Sequence, residues 1–384
     1  MQYGKWEVIK TLGQGGQGVA YLVNDINQLQ LSTLGTQLSS TISALTGSSL
    51  AQEKVGHALG VLKIIEEFIQ RESDRFCYVL KLLHEPARQD TKALERLRRE
   101  IDILTQLDHP SLIEVIDASV DEGWYVTPYY REGTLAQHLG RFHGRPVEAL
   151  EALRSLVRGV ELLHSKSAVH RDIKPENIFV SGSRLVLGDF GIVYFEDDAK
   201  TRVSDTYENV GSRDWMPGWA MGMRVDEVRP SFDVFSLGKV LWAMVSGRTK
   251  LRLWYWGRDE FNLTQLFPND ARMLWVNRLL QGSVREDEHT VYPSAAELLD
   301  QIDTVLPIVR RGGQVMHRDV VRWCRVCGLG HYRLALDEKS SSAALHDFGF
   351  SPVGQTWRIF KCDRCGHLDM FDMKHHPSAW GDVN

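Results

Sequence analysis

Cysteine is scarce in this chain, five in 384 residues. Four of the five form two C-x-x-C pairs near the C-terminus, which leaves no scattered framework of disulfides and points to metal ligation in a reducing compartment. Long apolar runs are missing as well. The best of them, Val240 to Val245, is far shorter than the roughly 20 residues a membrane-spanning helix needs. The opening MQYGKWEVIK has no apolar core of the kind a signal peptide carries and runs straight into strand-like sequence. The expectation is a cytoplasmic protein with no membrane partner. Strong charge of one sign is absent too: a net charge of −5 argues against broad electrostatic binding of the whole chain to nucleic acid or anionic lipid. What remains, 43% apolar and 25% charged residues, is the composition of ordinary globular domains. The length fits two or three of them.

The chemistry is concentrated in His170 to Asn177, which reads HRDIKPEN. Asp172 can accept a hydroxyl proton, Lys174 can neutralise charge on a transferring phosphate, and Asn177 offers an amide oxygen to Mg²⁺. Twelve residues beyond Asn177 stands Asp189-Phe190-Gly191, a second hard oxygen ligand followed by a flexible glycine. The ordered pair H-R-D-x-K-x-x-N and D-F-G resembles the eukaryotic-type protein kinase family.

The flanking sequence continues that resemblance. WEVIKTL, from Trp6 to Leu12, alternates as a strand does, then enters Gly13-Gln14-Gly15-Gly16-Gln17-Gly18 and a second strand from Val19 to Val23. Glycines let the backbone approach phosphates closely, although a plain glycine-rich hairpin would read the same. Lys81, in CYVLK, stands where the family usually has V-A-I-K and would hold the nucleotide phosphates. Its partner would be Glu100, on an amphipathic helix spanning Thr91 to Leu107 with Leu94, Leu97, Ile101, Leu104 and Leu107 on one side. Ala20 and Val79 would cover the base, since the valine and alanine of the family pattern are exchanged between the two strands. Thr127 would be the gatekeeper, the backbone from Pro128 to Tyr130, with Tyr129 at its centre, would face the adenine edge, and Phe179 would floor the pocket. Lys174 placed two residues after Asp172 is the pattern of serine/threonine-specific members. The implied cofactors are ATP and Mg²⁺, the latter on Asn177 and Asp189, and the implied partner is a protein substrate.

Several departures qualify the match. Gly18 and Lys81 stand 63 positions apart, and Ile26 to Gln52 contains no charged residue. The helical spacing of Leu31, Leu34, Leu38, Ile42 and Leu45, followed by an amphipathic Glu53–Arg71, predicts a helical hairpin over about 26–72. It would either pack on the small lobe or serve as a docking or dimerisation surface. The segment from Asp189 to about Pro217 carries Thr201, Ser204, Thr206, Tyr207 and Ser212, any of which could take a phosphate paired with Arg171. Where the family has A-P-E, this chain reads Pro217-Gly218-Trp219, and the arginine that would pair with the glutamate is Tyr292. Both halves of a buried ion pair are replaced together, and a Trp219–Tyr292 ring contact is expected in their place. Asp233 matches an aspartate that anchors the catalytic-loop backbone.

After a linker at 310–317, Cys324-Arg325-Val326-Cys327-Gly328 and Cys362-Asp363-Arg364-Cys365-Gly366 form two matching knuckles separated by 34 residues. Four thiolates make a closed tetrahedral Zn²⁺ site, with Trp357 to Phe360 as an intervening strand. An iron–sulfur cluster and a redox dithiol are the competing readings. From Arg310 onward there are eleven Lys/Arg against eight Asp/Glu, so nucleic-acid binding is compatible but not indicated. A protein-docking or autoinhibitory module fits better. The expected architecture is therefore α+β. A bilobal kinase-like domain over 1–309 has a β-rich N-lobe (about 1–127) with the helical insertion and a mainly α C-lobe (about 131–309), followed by a zinc-ribbon-like domain over 318–384. The expected activity is ATP-dependent phosphorylation of protein serine or threonine, the chain itself among the substrates. A pseudokinase scaffold, and a nucleic-acid-binding protein with a regulatory kinase domain, are the alternatives.

Overall fold

A computed structural model of the chain describes residues 1–15, 18–28, 40, 65, 77–190, 214–221, 223, 227–313, 326, 332–336, 357–362 and 365–372. The helical hairpin expected over 26–72 lies outside these residues, apart from a short helical turn at Ile26–Gln28 and two isolated positions. Thr201, Ser204, Thr206, Tyr207, Ser212, Cys324 and Cys327 lie outside them as well. The chain forms two compact units, one of Met1–Gly133 with Phe179–Val193, the other of Thr134–Ile178 with Tyr194–Asn384.

The first unit is built on a six-stranded sheet in the order β1-β2-β3-β4-β6-β5. Its strands are β1 (Gln2–Tyr3), β2 (Trp6–Gln14), β3 (Gly18–Asp25), β4 (Cys77–Leu83), β5 (Asp117–Ser119) and β6 (Trp124–Pro128). Alternation decides what each face carries. Trp6, Val23, Leu80, Leu82, Trp124 and Val126 form a buried cluster on one side. On the other, antiparallel register sets Ala20 opposite Lys81 and Leu22 opposite Val79. The next ladder sets Lys81 opposite Tyr125 and Val79 opposite Thr127. Ala20, Val79, Lys81, Tyr125 and Thr127 therefore share a face, as opposed residues in a ladder must.

Helix α1 (Thr91–Gln106) packs here. The Asp90 carboxylate accepts from the Lys92 N–H and caps its start. Leu97 and Ile101 meet Tyr125 in one buried cluster, and Glu100 is carried to the sheet between them. Beyond β6, β7 (Ile178–Ser181) and β8 (Arg184–Leu187) form a two-stranded ribbon.

The second unit is centred on α3 (Ser231–Ser246), whose sixteen residues are all buried. A helix apolar on every side belongs inside a core, and α2 (Pro146–Ser165), α4 (Met273–Ser283) and α5 (Ala295–Arg310) all pack against it. Gly238 permits the crossing with α4, since a Cβ there would lie 2.3 Å from the Ser283 hydroxyl oxygen. The last helix, α5, passes through Pro307. Proline inside a helix costs about 3 kcal/mol or more. Leu306, Ile308 and Val309, buried on the same stretch, offset it.

The ring contact expected between Trp219 and Tyr292 is not the one Trp219 makes. Its indole meets Phe232 edge-on at 6.3 Å between centroids. Tyr292 is fully buried over Gly282, where a Cβ would lie 1.9 Å from the phenol ring. Among the described residues, Trp219 packs with Val169, Met216, Ala220, Val228 and Phe232, a cluster that does not include Tyr292.

Strands β9 (Tyr332–Leu336), β10 (Trp357–Cys362) and β11 (Leu368–Asp372) form a separate antiparallel sheet with β10 in the middle. The strand expected over Trp357–Phe360 is thus present, two residues longer. The turn between β10 and β11 carries the second C-x-x-C pair.

Candidate active site

The catalytic loop is held from below by one carboxylate. Asp233, in the first turn of α3 and fully buried, accepts the His170 N–H at 2.8 Å on Oδ2 and the Arg171 N–H at 2.8 Å on Oδ1. The His164 ring nitrogen lies 2.9 Å from Oδ2. Burial alone would raise the Asp233 pKa, but these hydrogen bonds and the neighbouring histidines hold it below the ordinary carboxylate value. The expected anchoring role of Asp233 matches this geometry. Arg171 pays for the arrangement with a left-handed backbone, φ 69°. Non-glycine residues rarely adopt that conformation unless surrounding bonds enforce it.

So held, the loop brings its three polar side chains together. Lys174 Nζ lies 3.0 Å from Asp172 Oδ1 and 2.7 Å from Oδ2. Asn177 Nδ2 donates to the Asp172 carbonyl at 2.9 Å and to Oδ2 at 2.8 Å. Asp172 is buried, and burial raises its pKa against the opposing pull of Lys174. With both protons of its amide nitrogen engaged within the loop, Asn177 keeps its carbonyl oxygen as the atom available to a cation, which fits a Mg²⁺ ligand.

In the first unit, Lys81 Nζ lies 2.9 Å from Asp189 Oδ1. Burial opposes the charge on Lys81, but Asp189, Tyr125 and Glu100 outweigh it and raise its pKa above the usual lysine value. Among the described residues, the direct ion pair of Lys81 is with Asp189. Glu100, expected as its partner, contributes through its charge, while its carboxylate accepts from the Tyr125 hydroxyl at 2.8 Å. Burial raises the Glu100 pKa against the pull of Lys81 and this hydrogen bond. Asp189 is itself left-handed, φ 59°, and its carboxylate is half exposed. A hard, accessible oxygen donor of this kind suits Mg²⁺.

The glycine-rich turn joins β2 to β3, with the Gly15 N–H donating to the Gly18 carbonyl at 2.9 Å. A Cβ on Gly18 would lie 2.2 Å from the Leu82 carbonyl oxygen, so this glycine is required by packing. Added at Gly13 or Gly15 it would meet nothing within 4 Å, so the protein's own packing does not demand glycine there. Open backbone of this kind is what close approach of a phosphate needs. Thr127 is buried on β6, and the Tyr129 N–H donates to the Cys77 carbonyl at 3.1 Å. Phe179 stacks on Tyr130 with ring centroids 5.1 Å apart.

Two participants escaped the sequence reading. Tyr125 looks like any strand aromatic, and only the register with Lys81 reveals it. His84, whose ring nitrogen lies 2.6 Å from the Gly15 carbonyl oxygen, follows β4 with no motif to mark it.

At the C-terminal knuckle, the Cys365 N–H donates to Cys362 Sγ at 3.4 Å and the Gly366 N–H to the Cys362 carbonyl at 3.1 Å. Gly366 has φ 74°, a left-handed backbone that glycine adopts without strain. A main-chain donor aimed at sulfur favours a thiolate, so this half of the proposed Zn²⁺ site fits its metal. Among the described residues, no group of three or more candidate ligands surrounds a common point.

A family model described as the protein kinase domain matches residues 60–307, more than half of the chain. The serine/threonine-protein kinase pkn2 of Myxococcus xanthus is 32% identical over 177 residues, covering 44% of this chain and 21% of its own length. PrkC of Bacillus subtilis is 31% identical over 176 residues, covering 44% of this chain and 26% of its own length. The match thus spans about a quarter of these curated relatives. Among solved structures, the kinase domain of Mycobacterium tuberculosis PknI aligns at 16% identity and a TM-score of 0.47, covering 79% of this chain and 97% of that one. With the family model lying across the anchored catalytic loop, the Lys81–Asp189 pair and the helices that support them, this chain belongs to the protein kinase domain family.

Proposed function

We propose that this chain is an ATP-dependent protein kinase that transfers the γ-phosphate to serine or threonine hydroxyls of protein substrates, including its own. The observation that carries the reading is the buried Asp172 carboxylate, held between Lys174 and Asn177 on a loop anchored by Asp233. Asp172 orients the acceptor hydroxyl and takes its proton as the new oxygen–phosphorus bond forms and the bond from the γ-phosphorus to the bridging oxygen breaks, releasing ADP. Lys174, already beside that carboxylate, neutralises charge on the transferring group. Lys81, supported by the charge of Glu100, grips the nucleotide phosphates beneath Gly13, Gly15 and Gly18. Ala20, Val79, Thr127, Tyr129 and Phe179 line the base site. Asn177 and Asp189 are the ligands for Mg²⁺, which when bound neutralises phosphate charge.

The domain division proposed is a kinase domain over 1–309, a linker at 310–317 and a zinc-ribbon-like module over 318–384. In that module Cys324, Cys327, Cys362 and Cys365 would hold one structural Zn²⁺. The ribbon and the insertion are the surfaces proposed for protein partners, and the cytoplasm is the proposed location. Among the described residues, no helix is long and apolar enough to cross a membrane.

The test is phosphate transfer from labelled ATP to casein and to the chain itself, with Asp172→Ala beside the parent. Loss of a general base costs about 10²–10⁴-fold, so transfer by the variant should fall by at least the lower figure. Equal transfer by both would defeat the reading.

A further inference from the structure

Lys239 has no part in the chemistry above, yet it is the most unusual side chain in the second unit. It lies midway along α3, with 1% of its surface exposed, and shares that helix's buried polar positions with Asp233 and three serines. Its ammonium donates to the main-chain carbonyl of Asp214. One turn earlier on the same helix, the Ser236 hydroxyl lies 3.0 Å from the next carbonyl, that of Trp215, and 3.2 Å from the Phe232 carbonyl of its own helix, so it shares one proton between them. Residues three apart share a helix face, so α3 presents two donors in a row to two consecutive carbonyls. Those carbonyls belong to the stretch just before Pro217-Gly218-Trp219, where the glutamate of the family pattern is absent.

We propose that Lys239 is a positioning residue for protein-substrate phosphorylation, fixing the Asp214–Trp215 backbone at the end of the segment that begins at Asp189. The inference rests on the kinase reading, in which the end of that segment meets the protein substrate. A buried ammonium is an expensive way to bond one carbonyl, since an apolar residue of similar volume would pack without desolvating a charge. What the ammonium adds is reach and direction: its flexible stem spans from the helix to the Asp214 main-chain carbonyl. Burial lowers its pKa to about 8, with the Asp214 carboxylate opposing that fall. Among the described residues, Asp214 is the titratable group that bears on it, and the Phe235 ring of the same helix lies 5.5 Å away. The hold should therefore weaken as the pH rises through about 8 and the ammonium loses its proton.

Lys239→Met keeps the length and apolar stem and removes charge and donor; Lys239→Arg keeps both. Hydrogen exchange followed by mass spectrometry should show the amides of residues 214–217 opening about tenfold faster in Lys239→Met, with those of α3 unchanged. The KM for casein should rise about fivefold or more, with affinity for a fluorescent ADP analogue unchanged. Lys239→Arg should recover most of both. In the parent the casein KM should climb between about pH 7 and pH 9, and in Lys239→Met it should stay flat. Exchange and KM within about twofold of the parent would overturn the proposal, as would an equal loss of ADP affinity. Should Lys239→Met fail to fold, exchange of the parent across the same pH range decides. Protection at 214–217 must fall beyond the intrinsic rise in exchange rate, or the proposal is wrong. A parent that phosphorylates nothing would defeat the kinase reading instead, and the exchange measurements would still decide whether Lys239 holds this backbone.

Discussion

At the scale of single residues, the first unit pairs its charges in a way that invites a direct measurement. Glu100 is a buried carboxylate whose one direct bond among the described residues is the Tyr125 hydroxyl, and whose nearest cationic influence is Lys81. Removing the hydroxyl leaves a buried acceptor short of a donor, which costs about 1–3 kcal/mol. Tyr125→Phe should therefore lower stability to urea by that amount. The cost should grow in a Lys81→Met background, because neither donor nor cation then remains. A double-mutant cycle should give a coupling of about 0.5–3 kcal/mol, and additive effects would show that Glu100 draws on the two independently. The residues of this site were legible to different degrees for a physical reason. Asp172, Lys174 and Asn177 act within six positions of one another, so their chemistry can be read as a local string. The Lys81–Asp189 pair spans 108 positions and depends on the left-handed backbone of Asp189. No local pattern encodes that, and the same limit hid Tyr125.

At the scale of elements, the question is how helix α3 fixes a loop from another part of the chain. Asp233 accepts two main-chain N–H groups and faces the His164 ring, so its charge is used three times. Its folded pKa lies below the ordinary carboxylate value. A depressed carboxylate contributes stability that is present above its unfolded pKa, about 4, and is lost as pH falls through the folded value. Asp233→Asn turns an acceptor into a donor facing donors and should lose about 1–3 kcal/mol near neutral pH. In thermal melts, the gap between parent and variant should narrow below about pH 4; a gap constant with pH would remove the carboxylate from that role. The same helix shows where sequence reading succeeded and failed. Its aspartate was legible because the local string Asp233-Val234-Phe235-Ser236-Leu237-Gly238 resembles a family pattern. Lys239 was equally visible in the string, but what it bonds is a main-chain carbonyl, and carbonyls leave no mark in a sequence. The Trp219–Tyr292 contact failed for a related reason. Two aromatic substitutions at once suggest a pair, but Phe232 and Gly282 had already shaped separate sites for the two rings.

At the scale of the whole chain, the C-terminal sheet poses a stability problem of its own. The proposed module over 318–384 is small, and domains below about 70–80 residues often add a metal, disulfides or association to a modest core. At the end of β10 the Cys365 N–H donates to Cys362 Sγ at 3.4 Å, a contact of the proposed zinc site that lies among the described residues. If four thiolates complete the site, metal binding and folding of this sheet are one equilibrium, worth about 10–16 kcal/mol at neutral pH. The full chain, purified without chelator, should carry one zinc ion by elemental analysis. Cys362→Ser should carry almost none, while still binding the fluorescent ADP analogue as the parent does. Because cysteine thiols must lose their protons to bind, zinc should leave progressively as the pH falls below neutrality. Iron with visible absorbance would replace the zinc assignment by a cluster. A parent free of metal that nonetheless keeps the β9–β10–β11 amides protected from exchange would show that the sheet holds itself together without one.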